Sequence, residues 1–139
     1  DGGGFRNFEA FQKANILLFD GTDRKNRERY STDMKLSRVY QYDSCRGLEG
    51  WCVVCYNFDI LYEYKKQQFL NWLKSGKIQI DEMASDEEKA EKLTILWLLM
   101  PLTRAIDRLV ITLSDPNSLM GKKLQELAKC YPDTITWHE

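Results

Sequence analysis

Short apolar runs typical of β-strands alternate along this chain with longer stretches typical of helices. The run from Asn15 to Phe19 is apolar after its first residue, as expected of a strand buried on both faces. The predicted strands are residues 15–19, 37–42, 51–58, 108–113 and 134–137. Strands separated by helices usually pair in parallel, because the helix carries the chain back to the same end of the sheet. The pattern therefore predicts an α/β domain with a mostly parallel sheet of about five strands.

Local signals mark where several of the predicted helices begin and end. The predicted helices are residues 5–13, 59–75, 86–100 and 119–131. Asp59 is a candidate N-cap, and Gly76 is a candidate stop signal. Ser85 and Glu88 have the spacing of a capping box, so we expect the third helix to begin there. Its second half is apolar nearly all round and is expected to be buried, and Pro101 should loosen its last turn.

Charge and hydrophobicity limit the classes of protein to which this chain can belong. The 139 residues include 20 basic and 21 acidic ones, for a formal net charge of −1, and 43% are hydrophobic. These values are ordinary for one soluble domain and argue against a nucleic-acid footprint over the whole surface. No apolar run is long enough to span a membrane and no signal peptide is visible, so we expect a cytoplasmic protein. The chain begins without Met, so we expect residues 1–139 to be a single domain of a longer protein.

The spacing of two cysteines suggests a metal or redox site, but their predicted positions argue against one. Cys52 and Cys55 form a C-x-x-C pair, but they lie in a predicted buried strand. Residues three apart on a strand point to opposite faces, so one metal ion cannot easily take both thiolates. The sequence has no second C-x-x-C, and its single histidine is His138. We therefore expect small buried side chains in a reducing compartment and no metal site.

Two short segments carry the residue types that a nucleotide site needs. Residues 42–50 read Tyr-Asp-Ser-Cys-Arg-Gly-Leu-Glu-Gly, and residues 99–105 read Leu-Met-Pro-Leu-Thr-Arg-Ala. The first offers a glycine for close backbone approach and a carboxylate for sugar hydroxyls, and the second offers an arginine for a terminal phosphate. We expect both at the carboxyl ends of the strands, where open α/β sheets bind ligands. The sequence has no Gly-x-x-x-x-Gly-Lys-Ser/Thr loop, so it cannot hold the phosphates alone.

The two segments resemble motifs V and VI of superfamily 1 helicases of the UvrD/Rep type. Ser-Cys-Arg-Gly-Leu-Glu at residues 44–49 is similar to motif V, and Met-Pro-Leu-Thr-Arg-Ala-Ile-Asp-Arg-Leu at residues 100–109 is similar to motif VI. They occur in the family's order, each followed by an apolar strand. The resemblance implies the second motor domain of an ATP-dependent DNA helicase, with a RecA-like three-layer sandwich that lacks the phosphate-binding loop. The chain departs from the family pattern at Asp43, Gly50 and Pro101.

The resemblance also assigns roles to single residues. It implies that Arg104 reaches the γ-phosphate of ATP, that Gly47 lies near the phosphates and that Glu49 accepts hydrogen bonds from the ribose. Thr103 would link the arginine contact to domain movement. An N-terminal motor domain of the same protein, absent from this sequence, would hold most of the ATP and its Mg²⁺. We therefore expect no ATPase activity from this chain alone.

Three further residues are candidate contacts to nucleic acid, which the resemblance implies to be single-stranded or duplex DNA. Ser44 and Arg46 belong to the segment similar to motif V, whereas Arg24 follows an apolar run within a small basic cluster. Neighbouring acidic residues dilute that cluster, so a solvated charged surface is the alternative for Arg24.

Structural explanations compete with these assignments. Glu49 can pair with a nearby basic side chain, Gly47 can serve only a turn, and Arg104 can satisfy the carbonyl groups at a helix end. Tryptophan side chains suit either base stacking or core packing, and apolar neighbours favour the core for most of them. The tryptophans are Trp51, Trp72, Trp97 and Trp137. If the motor motifs are degenerate, the chain is instead a nucleotide-independent protein-interaction module on a RecA-like scaffold.

Overall fold

Two units make up the chain in the computed structural model, Asp1–Leu48 and Glu49–Glu139. The structure describes residues 13–23, 25–26, 31–33, 35–80 and 83–138. The helix predicted at residues 5–13 lies almost wholly outside the described residues. That residues 1–139 form a single domain of a longer protein stays a prediction.

The first unit pairs two short strands in parallel, β1 at Leu18–Asp20 and β2 at Ser37–Val39. A 3₁₀ turn over Tyr42–Ser44 follows them. Leu17, just before β1, is 61% exposed, so the prediction that residues 15–19 are buried on both faces is wrong. A pair of strands buries both faces only where further layers cover it.

The second unit combines two parallel strands with three α-helices in its described residues. In chain order its elements are β3 (Gly50–Cys55), α1 (Phe58–Lys74), α2 (Asp86–Leu102), β4 (Ala105–Ile111) and α3 (Leu119–Cys130). The register sets Cys52 opposite Arg108 and Cys55 opposite Ile111. Because α1 and α2 lie between the strands in the chain, β3 and β4 enter their pair from the same end.

The predicted ends of two helices are confirmed. The Ser85 hydroxyl accepts the backbone N–H of Glu88, and the Glu88 carboxylate accepts the backbone N–H of Ser85, which completes a capping box at the start of α2. Gly76 has a φ of +69° just after α1, a conformation that glycine adopts without a Cβ penalty. Pro101 is accommodated in the last turn of α2, which ends one residue later.

Asp59 is not the cap of α1. The N-cap of this helix is Asn57, which has a φ of +51° and makes no side-chain capping bond. The Asp59 carboxylate instead accepts the backbone N–H groups of Ser114 and Asp115 at 2.8 and 2.9 Å, beyond the end of β4. A carboxylate predicted to act locally therefore joins two segments that are distant in sequence.

The core of the second unit lies mainly among the three helices. α1 contributes Phe58, Tyr62 and Phe69, and α2 contributes Ala90, Thr94 and Leu98. The Thr94 hydroxyl donates to the Ala90 carbonyl oxygen at 2.7 Å, so this buried polar group is satisfied. β3 reaches the core only through Cys55, and α3 adds Met120 and Ala128.

Two charged side chains between the helices, Lys65 and Glu91, also find partners. The Lys65 side chain is only 4% exposed, and its Nζ lies 4.0 Å from the centre of the Trp97 ring. The Glu91 carboxylate accepts Lys123 Nζ at 2.9 Å and lies 3.6 Å from Lys66 Nζ, so it joins all three helices. The hydrogen bond from Lys123 holds the pKa of Glu91 below its usual value. Burial and this carboxylate raise the pKa of Tyr62 to about 12.

The predicted RecA-like three-layer sandwich with about five strands is wrong. The described residues form two separate two-stranded parallel sheets, β1 with β2 and β3 with β4. The fifth predicted strand, residues 134–137, is a turn and irregular chain instead. The backbone N–H groups of Thr134 and Ile135 both donate to the Tyr131 carbonyl oxygen, so they are turned inward rather than toward a neighbouring strand. The α/β character and the parallel pairing remain, but they build a smaller architecture.

Two predictions of burial are also wrong. The Trp51–Tyr56 run carries exposed side chains at Trp51 and Val54, because the described helices bury β3 mainly at its last residue. In the second half of α2, Leu98 is buried but Leu96 and Leu99 are exposed, because the helix packs on one side only. Apolarity alone therefore did not distinguish the packed face from the open one.

Candidate functional site

The amino ends of β3 and β4 bring two of the predicted site residues to one edge. Gly50 pairs with Ala105, and the Gly50 N–H donates to the Arg104 carbonyl oxygen at 3.1 Å. Glu49 and Arg104 directly precede the first residue pair of the two strands, so their backbone segments lie next to each other at this edge. Both residues precede their strands, so the expectation that they lie at the carboxyl ends is wrong.

Arg104 is held at its base by the last turn of α2. Its Nε donates to the Met100 carbonyl oxygen at 2.9 Å, and its Nη2 donates to the Thr103 hydroxyl at 3.0 Å. The helix end favours a cation there, which is the structural role considered for this residue. A guanidinium has five N–H donors, and these two bonds occupy two of them. Within the described residues no carboxylate lies within ion-pair distance of Arg104.

Thr103 connects the arginine to the helix. Its hydroxyl accepts Arg104 Nη2 and donates to the Leu99 carbonyl oxygen at 2.8 Å. The side chain is exposed, so it does not contribute through burial. A displacement of the Arg104 guanidinium would therefore disturb the hydrogen bond between Thr103 and the last turn of α2.

Glu49 and Trp51 leave their side chains open on the same stretch of chain. Glu49 is exposed and makes no hydrogen bond or ion pair to any described residue. Trp51 is 74% exposed, although the sequence favoured core packing for most of the tryptophans. The register shift between Gly50 and Cys52 sets both Ile106 and Asp107 against Trp51, as in a β-bulge.

The predicted site residues of the first unit lie around a tight reversal. Gly47 has a φ of +74°, and a Cβ built there would meet nothing within 4 Å. The backbone thus favours glycine through its conformation rather than through crowding. Ser44 ends the 3₁₀ turn, where its N–H donates to the Gln41 carbonyl oxygen at 2.8 Å, and Arg46 is exposed. Arg24 lies outside the described residues.

The opposite, carboxyl edge of the β3–β4 pair is closed by Asp59, which sequence reasoning treated as a helix cap. Burial alone would raise the pKa of this carboxyl. The N–H donors of Ser114 and Asp115 outweigh that effect and hold the pKa of Asp59 below its usual value. The sequence signal was an aspartate just after an apolar strand, a position from which it can bond the loop after a neighbouring strand. This edge is satisfied within the protein, whereas the Glu49 and Trp51 side chains at the amino edge have no partner among the described residues.

The described residues also bear on metals and membranes. Among them, no three His, Cys, Asp or Glu side chains lie close enough together to hold a metal ion. Cys52 is exposed, whereas Cys55 is 1% exposed. None of the helices in the described part of the chain is long and apolar enough to cross a bilayer.

No protein-family model matches this sequence, and no curated protein and no solved structure matches the chain. The interpretation of its function therefore depends on the two motif-like segments and on the geometry of the residues that they contain.

Proposed function

We propose that this chain supplies the second set of ATP contacts in a superfamily 1 DNA helicase. The proposal rests on one observation: the Gly50 N–H donates to the Arg104 carbonyl oxygen where the β3–β4 pair begins, which brings the segments that contain Glu49 and Arg104 to one edge of a parallel pair. A carboxylate and a guanidinium at adjacent positions suit the sugar and the phosphates of one nucleotide. In the whole protein, an N-terminal motor domain would carry the phosphate-binding loop and Mg²⁺.

Arg104 is the residue that acts on the transferred phosphate in this proposal. Two of its donors anchor the guanidinium to α2 through Met100 and Thr103, which leaves three donors for phosphate oxygens. A planar guanidinium stabilises charge that spreads over the oxygens of a phosphoryl group as it leaves. Anchoring its base lowers the entropy lost when the ligand arrives.

The other residues bind the nucleotide or the DNA, or couple the arginine contact to α2. Glu49 accepts hydrogen bonds from the ribose hydroxyls. Thr103 passes the arginine contact to α2 through its bond to Leu99. ATP binding and release would then shift this helix, which is how hydrolysis becomes movement along DNA. Ser44, Arg46 and Arg24 are the proposed contacts to the DNA.

The test is alanine substitution of Arg104 in the complete protein. Arg104→Ala should lower DNA-stimulated ATP turnover by about 10³-fold, because the charge that stabilises the transition state is lost. ATP binding should largely survive, because most of the nucleotide is held by the other motor domain. Arg108→Ala is the matched control, since Arg108 is an exposed arginine on the same strand. Unchanged turnover in Arg104→Ala would remove the assignment.

A second candidate function has its own observation. The β3–β4 pair exposes apolar side chains at Val54 and Val110, which are paired across the strands and share a face, and a parallel pair is normally covered on both faces. A nucleotide-independent interaction module would use this face. Complete protein that neither binds nor hydrolyses ATP, and that loses a protein partner on Val110→Asp, would favour this alternative.

A further inference from the structure

We infer that Trp51 is the surface on which the base of the bound nucleotide stacks. The inference rests on the proposed function, since it adds a third contact to the site that contains Glu49 and Arg104. It names the part of the ligand that neither of those residues can recognise.

The exposure of Trp51 is the first observation. Its side chain is 74% exposed, and it makes no hydrogen bond or ring contact to any described residue. Trp72 packs edge-on against Phe69 at 5.5 Å between ring centres, and Trp97 lies under the Lys65 ammonium. The indole of Trp51 therefore keeps a large flat aromatic face available for stacking.

The backbone opposite Trp51 is irregular. The register shift opposes Trp51 with two residues of β4, Ile106 and Asp107, so the regular cross-strand pairing of side chains is interrupted there. Bulges of this kind are frequent beside functional sites. The extra residue lies on β4, two to three residues after Arg104.

The closeness of the three residues along the backbone is the second observation. Trp51 follows Glu49 by two residues, so where the chain is extended both side chains point to the same side, about 6.6 Å apart. Arg104 directly precedes Ala105, the partner of Gly50, and its Nε donates to the Met100 carbonyl oxygen at the end of α2. The fold thus brings a cation, a carboxylate and an aromatic plane to one edge, and these groups suit the phosphates, the ribose and the base of a nucleotide.

A nucleobase has two possible sources, the nucleotide and a single DNA strand. Both would stack on an indole, since every base has a flat aromatic face. The exposed Glu49 carboxylate favours the nucleotide, because it can accept hydrogen bonds from the paired ribose hydroxyls. The deoxyribose of a DNA strand lacks one of those hydroxyls, and the other is esterified.

The experiment compares Trp51→Ala and Trp51→Phe in the complete protein, with DNA-stimulated ATP turnover as the readout. Trp51→Ala should raise the KM for ATP by about 5- to 150-fold, which is the usual effect of losing one stacked base, while kcat stays within about twofold. Trp51→Phe should restore most of the affinity, because phenylalanine keeps a ring. Val54→Ala is the control for removing an exposed apolar side chain from the same strand.

A base-free ribose triphosphate provides the matching substrate control. Trp51→Ala should not change its KM, because that substrate has nothing to stack. Thermal melting of each variant checks the fold, and an exposed side chain should change the melting temperature little.

Three results would overturn the inference. If Trp51→Ala raises the DNA concentration for half-maximal stimulation and leaves the KM for ATP unchanged, the base belongs to the strand. If neither value changes while Arg104→Ala still abolishes turnover, the stacking role is wrong and the proposed function stands. If Arg104→Ala leaves turnover unchanged, both proposals fall, because no nucleotide occupies this edge.

Discussion

Two regions of the second unit differ in whether their side chains have partners: the helices, and the amino edge of the β3–β4 pair. Among the helices, the Lys65 ammonium lies over Trp97, and the Glu91 carboxylate meets two lysines. At the edge, Glu49 and Trp51 have no partner among the described residues. The same residue types, a carboxylate and a tryptophan, thus stabilise the fold in one region and remain available to a ligand in the other.

The contrast is instructive because the two regions use the same types of side chain. Those among the helices have partners, whereas Glu49 and Trp51 at the edge have none among the described residues. A buried or paired group contributes to stability through the contacts that it already makes. An exposed aromatic ring beside a half-satisfied guanidinium contributes little until a ligand arrives. Substitutions in the two regions should therefore separate cleanly into effects on stability and effects on binding or turnover.

The largest expected effect comes from replacing Arg104 with lysine, which keeps the positive charge but lacks the planar guanidinium. Arg104→Lys in the complete protein should lose nearly as much turnover as the alanine variant, about 10³-fold, because a lysine cannot anchor to Met100 and Thr103 and also contact phosphate. Steady-state kinetics with saturating DNA measures the loss. Near-normal turnover would mean that a point charge suffices and that the anchored geometry is unimportant.

The next prediction compares the stability lost by truncating a buried side chain among the helices with that lost by truncating an exposed one at the amino edge. Leu98→Ala should destabilise the protein by about 2–5 kcal/mol, because Leu98 is 3% exposed and its removal leaves a cavity among the helices. Trp51→Ala should change stability by less than about 0.5 kcal/mol. Urea unfolding of the two variants tests this. Comparable losses would show that Trp51 packs in the folded protein, which breaks the comparison.

Asp59 provides a pH-dependent test at the closed edge. Asp59→Asn should cost about 1–3 kcal/mol, because the amide keeps one acceptor and turns a donor toward the second backbone N–H. The exposed Asp107→Asn on β4 is the control and should change stability little.

The sign of the pH dependence follows from the lowered pKa of Asp59. The folded state binds this proton less readily than the unfolded chain, so the contribution is complete above the ordinary value of 3.8 and disappears as the pH falls through the lower folded pKa. Urea midpoints measured between neutral pH and pH 3 should show the parent losing this part of its advantage over Asp59→Asn. A constant difference across that range would contradict the role of the carboxylate.

The smallest expected effect comes from the charged contacts between helices. Glu91→Gln should cost about 0.5 kcal/mol, because the carboxylate is one-third exposed and its ion pairs with Lys66 and Lys123 are screened by water. High salt should reduce the difference further. Glu87→Gln, which removes the more exposed pair with Lys74, should cost still less. A cost that does not respond to salt would indicate packing rather than charge.

The sequence predicted the residues of the candidate site but not their arrangement. Glu49 and Arg104 were chosen because their segments resemble two helicase motifs. An apolar strand was predicted after each segment, but no local signal indicated that the two segments meet at the amino edge of one pair. That position depends on the register of β3 against β4, which is set by hydrogen bonds between segments about fifty residues apart. Base stacking was one of two roles considered for Trp51 from the sequence, but its apolar neighbours favoured core packing.

The sequence by itself determined the features that depend on nearest neighbours along the chain. The capping box of Ser85 and Glu88 and the stop at Gly76 need only a few adjacent residues, so their patterns sufficed. The tertiary structure alone decided that four strands form two small sheets, that Asp59 bonds a distant loop and that Trp51 remains exposed. Each of these depends on which surfaces meet in space, and an apolar run has the same composition whether or not another layer covers it.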